Sequence, residues 1–241
     1  GQNVNSSGRD LDEGRDFADL IRAINDIPGD FLIRFMTSHP RDATEKLFRT
    51  MAECEKCAKH IHLPVQSGSN RILKAMNRHY GREKYLEEVR TARELMPDIV
   101  LTTDIIVGFP GETRSDFDET LSLVREVGYD AMFTFIFSPR EGTPAAKLPD
   151  PVSREEKQVW FDELVELSNS ISGEKHAAYA GKTLRVLVDG ETGRDGYNLS
   201  ARTNGGRLVH LKGGAELIGR FINAKITGWN TWALYGEIQE D

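Results

Sequence analysis

The chain has 241 residues, of which 39% are hydrophobic and 29% are charged, and this composition excludes an intrinsically disordered protein. Its formal net charge of −7 weighs against a general affinity for nucleic acids, and no apolar run approaches the roughly 20 residues of a transmembrane helix. Two cysteines cannot build a disulfide framework, so we expect a soluble, cytoplasmic protein with no membrane partner.

The first 150 residues alternate between predicted helices and predicted strands. Apolar residues recur every three or four positions in four segments, which predicts helices over 17–24, 47–54, 85–96 and 117–124. Continuous apolar runs predict strands over 31–36, 60–67, 99–107 and 130–137. Asp42 and Glu45 have the spacing of a capping box, and Thr113 can cap the fourth helix. Such alternation indicates an α/β fold with a parallel sheet, in which ligands bind at the carboxyl ends of the strands.

The pattern changes twice after residue 143. Three prolines between 144 and 151 predict a linker, and Ser153 with Glu156 has the spacing of a capping box before a long helix. Strand-like runs separated by Gly and Asn then cover 183–188, 197–202, 207–211, 219–227 and 231–238. Five short strands within about 65 residues are typical of a small barrel of the oligonucleotide-binding kind. We therefore predict an α/β unit over 1–150, a linker helix over 151–173 and an all-β barrel over 174–241.

Polar residues stand where two of the predicted strands end. Asp104 interrupts an apolar run, and a carboxylate in such a place is costly unless it is paired or hydrogen-bonded. It can accept hydrogen bonds from ligand hydroxyl or amine groups, and the alternative is an ordinary cap or a salt bridge. Gln66 ends the preceding strand and offers both a donor and an acceptor, although it can equally be an amide that stabilises its loop.

Two further features of this region have both a functional and an ordinary interpretation. Arg78 can clamp a carboxylate with its forked guanidinium, or it is a solvated surface arginine. The segment Gly108-Phe109-Pro110-Gly111 lets the backbone pass close to a flat ligand because glycine lacks a side chain. The same segment is also an ordinary turn signal.

Cys54, Cys57, His60 and His62 have a spacing that suggests a zinc site. Cys54 continues the apolar stripe of a predicted helix, whereas the two histidines lie on a predicted strand. The four side chains would therefore meet only if the helix happened to pack against the face of the strand that carries both histidines. We interpret them as core thiols and interior histidines, and we predict no metal site in this chain.

Five basic residues alternate with apolar ones in the barrel segment, namely Arg202, Arg207, Lys212, Arg220 and Lys225. Three aromatic residues lie nearby in the sequence, namely Trp229, Trp232 and Tyr235. Basic groups combined with aromatic rings suit the phosphates and stacked bases of RNA. The alternative is a solvated strand face with the aromatic rings in the core.

Six motifs occur in a fixed order: GQNVNS at 1–6, RFMTSHP at 34–40, HIHLPVQSGS at 60–69, MNR at 76–78, TTDIIVGFPGET at 102–113 and FTFIFSPREGTP at 133–144. Together they resemble the radical-SAM methylthiotransferases. The Gln-Asn-Val-Asn opening favours the branch that modifies tRNA, although Ser7 stands where the family usually has Tyr. The resemblance implies an incomplete radical-SAM (β/α) barrel followed by a TRAM domain, a small OB-like β-barrel that binds the tRNA.

The resemblance also implies a reaction. The enzyme would add a methylthio group to C2 of N6-isopentenyladenosine in the tRNA anticodon stem-loop. One S-adenosylmethionine would be cleaved reductively to a radical, with electrons from a donor such as a flavodoxin or ferredoxin, and another would supply the methyl group. The alternatives are a sibling enzyme that acts on threonylcarbamoyl-adenosine or a ribosomal protein, and a non-catalytic RNA-binding protein. We expect a monomer.

The family's contacts can be carried over to matching positions. The resemblance implies that S-adenosylmethionine is bound by Gln66, Ser67, Arg78, Asp104, Gly108, Phe109, Pro110, Phe137 and Ser138. Asp104 and Gln66 would serve its ribose and amino-acid part, Arg78 its carboxylate, and the apolar residues its adenine. The tRNA substrate would contact Gln2, Asn3, Asn5, Arg34, Ser38, His39 and the five basic residues of the barrel segment.

One departure from the family pattern is large. The family binds a catalytic [4Fe–4S] cluster through C-x-x-x-C-x-x-C and a second cluster through three further cysteines. Cys54 and Cys57 are the only cysteines here and cannot supply either site. We therefore expect a fragment of a two-cluster enzyme that lacks the N-terminal part and the cluster ligands. The chain by itself is expected to hold no catalytic residue and to be inactive.

Overall fold

The computed structural model describes residues 3–8, 14–36, 38–194 and 196–239, so the predicted contact residue Gln2 lies outside the described residues. The chain forms two compact units. The first comprises Gly1–Cys57 and Ile61–Ser168, and the second comprises Ala58–His60 and Asn169–Asp241. No helix in these described ranges is both long and apolar enough to cross a membrane.

The first unit alternates helices and strands. Its helices are α1 (Phe17–Asn25), α2 (Glu45–Glu53), α3 (Asn70–Ala75), α4 (Arg82–Leu95) and α5 (Arg114–Val127). A sixth helix, α6 (Arg154–Ala177), contains the point in the sequence at which the two units divide. The strands β1 (His60–His62), β2 (Val100–Val107) and β3 (Ala131–Ile136) form one sheet in the order β1-β2-β3. β2 and β3 run parallel, which confirms the predicted α/β class.

Two local predictions for this unit are wrong. The apolar run 31–36 forms only an isolated bridge between Ile33 and Cys57, because the rest of it has no partner strand among the described residues. The capping box at Asp42 and Glu45 does not form, since α2 begins after Thr44, whose hydroxyl accepts the Leu47 N–H. By contrast, Thr113 caps α5 as predicted, through a reciprocal pair of hydrogen bonds with Asp116.

The second unit contains a closed five-stranded barrel, as predicted. Its strands are β4 (Thr183–Glu191), β5 (Leu199–Thr203), β6 (Leu208–Leu211), β7 (Phe221–Trp229) and β8 (Leu234–Ile238), arranged in the order β4-β5-β6-β8-β7. β6 and β8 are parallel, and the other pairs are antiparallel. Alternate residues point inward, among them Val209 and Leu211 of β6, and they form a fully buried core. The intervening residues therefore face away from this core.

Candidate functional site

An open cavity of about 480 Å³ lies at the carboxyl ends of β2 and β3. Polar and apolar side chains share its wall, which suits a ligand that combines a flat ring with polar groups. Four lining residues are predicted cofactor contacts, namely Gln66, Asp104, Phe137 and Ser138. The remaining lining residues, which the sequence analysis did not single out, are Ile106, Phe135, Ile136, Arg140, Thr143 and Ala145.

The sheet places Asp104 beside an imidazole. Asp104 lies opposite Phe133 of β3, and the Nε2 atom of His62 on β1 is 3.3 Å from its Oδ1 atom. The Nδ1 atom of His62 is 3.0 Å from the hydroxyl of Thr102, so both ring nitrogens have a partner. The Asp104 side chain is 29% exposed, whereas that of His62 is 10% exposed. Asp104 is therefore held on one side and open to the cavity on the other.

Gln66 has an unusual backbone conformation. Its φ angle is 74°, in the left-handed region that residues other than glycine rarely adopt. Its N–H donates to the carbonyl of Asp104 at 2.9 Å, and its own carbonyl accepts from the N–H of Ile106 at 2.9 Å. These two bonds to β2 hold a conformation that costs about 1–3 kcal/mol. Backbone strain of this kind collects at ligand sites, and the Gln66 side chain lines the cavity.

The turn that begins at Gly108 packs against Phe137, which lines the cavity. Gly108 has a φ angle of 72°, which favours glycine, and Phe109 packs its ring edge-on against Phe137 at 5.2 Å between centroids. The backbone N–H groups of Gly108 and Phe109 donate to one carboxylate oxygen of Glu112, at 2.5 Å and 3.1 Å. Phe109 and Pro110 are buried, so Phe137 is the member of this group that reaches the cavity. The sequence analysis did not identify Glu112, because its carboxylate meets the N–H groups of Gly108 and Phe109 only when the turn has folded.

Glu112 should make the stability of the chain pH-dependent. Burial raises the pKa of this carboxyl from 4.5 to about 7. A carboxyl whose pKa is higher in the folded state than in the unfolded state favours folding most at low pH. That contribution is lost as the pH rises through about 4.5 to 7. Glu112→Gln keeps an acceptor oxygen without the charge. At pH 8 we expect its free energy of unfolding to exceed that of the wild type by about 2 kcal/mol.

Urea unfolding at a series of pH values measures this effect. Burial also raises the pKa of Glu88, to about 8, so the wild-type curve contains both groups and the difference between variant and wild type isolates Glu112. Glu119→Gln, at an exposed position of α5, is the matched control and should leave the pH profile unchanged. Parallel profiles for wild type and Glu112→Gln would contradict the assignment.

Ser67 does not line the cavity. Its hydroxyl is fully buried, accepts the N–H of Ser69 at 3.2 Å and lies 3.4 Å from the hydroxyl of Thr120 on α5. The next residue, Gly68, donates its N–H to the same Thr120 hydroxyl at 2.9 Å. These contacts fix the loop after Gln66 against α5. Ser67 therefore supports the loop next to the cavity and does not form part of the cavity wall.

Arg78 lies in a second polar group, with His39 and Tyr80. Burial and then the positive charge of Arg78 lower the pKa of His39, whose ring packs edge-on against Tyr80 at 5.6 Å. The Tyr80 hydroxyl donates to the carbonyls of Pro64 and Val65, at 3.1 Å and 3.2 Å. The Arg78 Nε atom is buried without a hydrogen-bond partner in the described part of the chain. Arg78 is not among the residues that line the cavity at the strand ends.

The predicted substrate contacts of the first unit fall into two places. The Asn5 side chain forms two hydrogen bonds with the backbone of His39, both at 3.1 Å, so it fixes the loop that also holds Ser38. Asn3 has a φ angle of 53° and accepts a hydrogen bond from Ser6 through its carbonyl. Arg34 is exposed in the segment before this loop. Asn5 and His39 therefore meet, whereas Arg34 does not share these contacts.

The five basic residues of the barrel do not form one continuous face. Arg202 pairs with Asp189 at 2.9 Å, and Arg207 is buried with its guanidinium over the ring of Tyr179. Lys212 directly follows β6 and is exposed. Its Nζ atom lies 5.4 Å from the ring centroid of Tyr197. The other two, Arg220 and Lys225, are exposed elsewhere on the barrel.

The cysteines and histidines that suggested zinc are buried, namely Cys54, Cys57, His60 and His62. This burial confirms their interpretation as core thiols and interior histidines. Within the described residues, no group of three or more His, Cys, Asp and Glu side chains is placed to hold a metal ion. Two buried thiols do not fit a [4Fe–4S] cluster, which needs at least three cysteine ligands in the family pattern.

Comparisons with known proteins match both units. A model of the Radical SAM superfamily matches residues 1–124, and a model of the TRAM domain matches residues 177–238. A Clostridium botulinum (strain Langeland) relative named tRNA-2-methylthio-N(6)-dimethylallyladenosine synthase is 52% identical over 237 residues, 98% of this chain and 53% of the relative. Relatives of the same name from Alkaliphilus oremlandii and a Thermoanaerobacter species are 49% and 51% identical, over 100% of this chain and 51% of each relative.

The chain thus spans about half the length of the curated relatives it matches. Among solved structures, coproporphyrinogen III oxidase from Escherichia coli, described as a radical SAM enzyme, matches with a TM-score of 0.53. Its sequence is 16% identical, and the match covers 90% of this chain and 54% of that one. At this identity the likeness concerns the fold alone.

Proposed function

The chain belongs to the radical SAM superfamily and carries a TRAM domain, and on this premise we propose that it is the C-terminal part of a tRNA methylthiotransferase. The substrate of the enzyme is N6-isopentenyladenosine beside the anticodon, and the product carries a methylthio group at C2. The relatives whose name states this reaction are about half identical to the chain over nearly all of its length. The observation that carries the proposal is the cavity at the carboxyl ends of the strands, which Gln66, Asp104 and Phe137 line together.

S-adenosylmethionine fits this cavity by the chemistry of its residues. Asp104 presents an open carboxylate to the ribose hydroxyls or the amino group, and Gln66 offers a donor and an acceptor beside it. Phe137, backed by Phe109, provides an apolar wall for the adenine. Arg78 is the candidate for the carboxylate because it stands at the matching position of the family motif and carries a forked guanidinium. When bound, S-adenosylmethionine supplies the methyl group and the initiating radical of this chemistry.

The iron–sulfur chemistry is not supplied by residues of this chain. Cys54 and Cys57 are buried thiols, and no other cysteine is present in the sequence. We infer two [4Fe–4S] clusters in the whole enzyme, with ligands outside these 241 residues, and an electron donor such as a flavodoxin or ferredoxin. The contribution of this chain is to bind and orient S-adenosylmethionine and the tRNA.

The proposal assigns one task to each part of the chain. Residues 1–150 form the radical-SAM part, 151–173 the linker helix and 174–241 the tRNA-binding TRAM domain. The segment 177–238 contains eight Lys and Arg against five Asp and Glu, a net charge of +3 in a chain whose net charge is −7. A positive barrel on an acidic protein favours contact with RNA phosphates there. The enzyme acts as a cytoplasmic monomer.

Binding of RNA and of S-adenosylmethionine by the 241-residue chain tests the proposal. We expect fluorescence anisotropy to show binding of an anticodon stem-loop RNA, with an affinity that falls steeply with salt. A stem-loop that carries isopentenyladenosine should bind more tightly than one with adenosine. Binding of RNA without measurable binding of S-adenosylmethionine would favour a non-catalytic RNA-binding protein. Absence of both would contradict the proposal.

A further inference from the structure

Three aromatic rings meet on the outer surface of the barrel. The centroids of Tyr197 and Tyr235 are 5.2 Å apart, and those of His210 and Tyr235 are 5.6 Å apart. The third pair, Tyr197 and His210, is 6.4 Å apart, and the three interplanar angles lie between 33° and 40°. The rings are therefore packed together but tilted against one another, and we call this group the aromatic cluster.

The barrel topology explains why the cluster faces outward. His210 of β6 pairs in register with Tyr235 of β8. Its neighbours Val209 and Leu211 are fully buried in the barrel core, so His210 between them points to the outside. Tyr197 approaches from the segment just before β5. His210 is nevertheless buried, whereas both tyrosines are only half-buried, so the two tyrosines cover it and present the accessible ring surface.

Polar groups hold and flank the cluster. The Nδ2 of Asn230 donates to the Tyr235 hydroxyl at 2.8 Å, while its Oδ1 accepts the N–H groups of Trp232 and Ala233, both at 2.8 Å. This network ties the orientation of Tyr235 to the β7–β8 turn. Lys212, two residues after His210, places its Nζ 5.4 Å from the Tyr197 centroid. The surface thus combines two half-buried tyrosine rings with a cation at its edge.

We propose that Tyr197 and Tyr235 stack an unpaired base of the bound RNA and that Lys212 contacts a phosphate beside it. This inference rests on the proposed function, because it places part of the tRNA on the barrel. An unpaired base offers a free π-face, whereas bases within a duplex are already stacked on each other. The occupant is therefore a single-stranded or looped nucleotide, and the site does not read a particular base by hydrogen bonds.

Anisotropy titrations of the full 241-residue chain with a short single-stranded RNA test this site. Tyr197→Leu and Tyr235→Leu keep apolar bulk without the π-face, and each should weaken binding about tenfold. Tyr197→Phe keeps the ring and should bind as the wild type does. Lys212→Ala should lower the slope of log affinity against log salt by about one, whereas the two leucine variants should leave that slope unchanged. Val159→Ala, at a side chain 62% exposed on α6, removes apolar bulk outside the barrel and is the control.

RNAs with a single abasic nucleotide, scanned along the sequence, locate the stacked base. At one position the loss from the abasic site and the loss from Tyr197→Leu should not add, because both remove the same contact. Wild-type affinity in both leucine variants would overturn the inference while leaving RNA binding by the barrel intact. Failure of the wild-type chain to bind any RNA would instead overturn the proposed function, and the inference with it.

Discussion

Replacing Asp104 by asparagine is expected to weaken the binding of S-adenosylmethionine to this chain about 10- to 100-fold. The substitution keeps the shape and an oxygen that can face His62, but it removes the charge that strengthens hydrogen bonds to ligand hydroxyl or amine groups. Such charged hydrogen bonds contribute about 1.5–3 kcal/mol, which corresponds to that range. Because the cavity belongs to the first unit, RNA affinity should stay within about twofold of the wild type.

Equilibrium dialysis with labelled S-adenosylmethionine measures the effect. Asp98→Asn is the matched control, because Asp98 is an exposed aspartate just ahead of β2, at the opposite end of the strand from the cavity. It should bind as the wild type does. Equal affinities for Asp104→Asn and the wild type would remove Asp104 from the site. A matching loss of RNA affinity would indicate that the variant disturbs the fold.

Replacing Gly68 by alanine is expected to destabilise the chain by about 3 kcal/mol. A Cβ atom at Gly68 would lie 2.5 Å from the Cα and 2.8 Å from the backbone nitrogen of Thr120, and 2.6 Å from the carbonyl oxygen of Glu119. These atoms belong to the backbone of α5 and cannot rotate away. Either α5 or the loop must move, and because the loop follows Gln66, binding of S-adenosylmethionine should weaken as well.

Gly173→Ala is the control for this substitution. Gly173 lies inside α6, and a Cβ atom there would meet nothing within 4 Å, so the same change should stabilise the chain by about 0.5–1 kcal/mol. Urea unfolding should therefore shift the two midpoints in opposite directions without changing the slope. Equal midpoints for the two variants would show that the approach of the loop to α5 is not tight.

The sequence predicted the elements well where a hydrophobic period defined them. The barrel strands follow from alternation, as in Ile222, Ala224 and Ile226, and the α/β order follows from stripes such as the one that includes Phe117 and Leu121. The run 31–36 failed because an apolar run does not reveal whether a partner strand exists. Strand pairing is a tertiary property, and the described structure provides only the bridge at Ile33.

The sequence predicted only part of the candidate site, because several of its contacts also depend on tertiary structure. Asp104 and Gln66 could be identified from their positions at strand ends, and the cavity brings them together. The contact of His62 with Asp104 depends on the register between β1 and β2, which no local pattern encodes. Glu112 likewise acquires its role only when the turn folds back on it. Ser67 has the right sequence position but its hydroxyl is used by α5, which only the packing reveals.

The central claim concerns the reaction, and mass spectrometry of tRNA nucleosides tests it most directly. The tRNA would come from a strain that lacks the gene encoding this chain, and from the same strain with the gene restored. We expect 2-methylthio-N6-isopentenyladenosine to disappear from the deletion strain while N6-isopentenyladenosine accumulates. Restoring the gene should return both nucleosides to their wild-type levels. Loss of the methylthio group from threonylcarbamoyl-adenosine instead would assign the sibling reaction. An unchanged level of methylthiolated isopentenyladenosine would contradict the account.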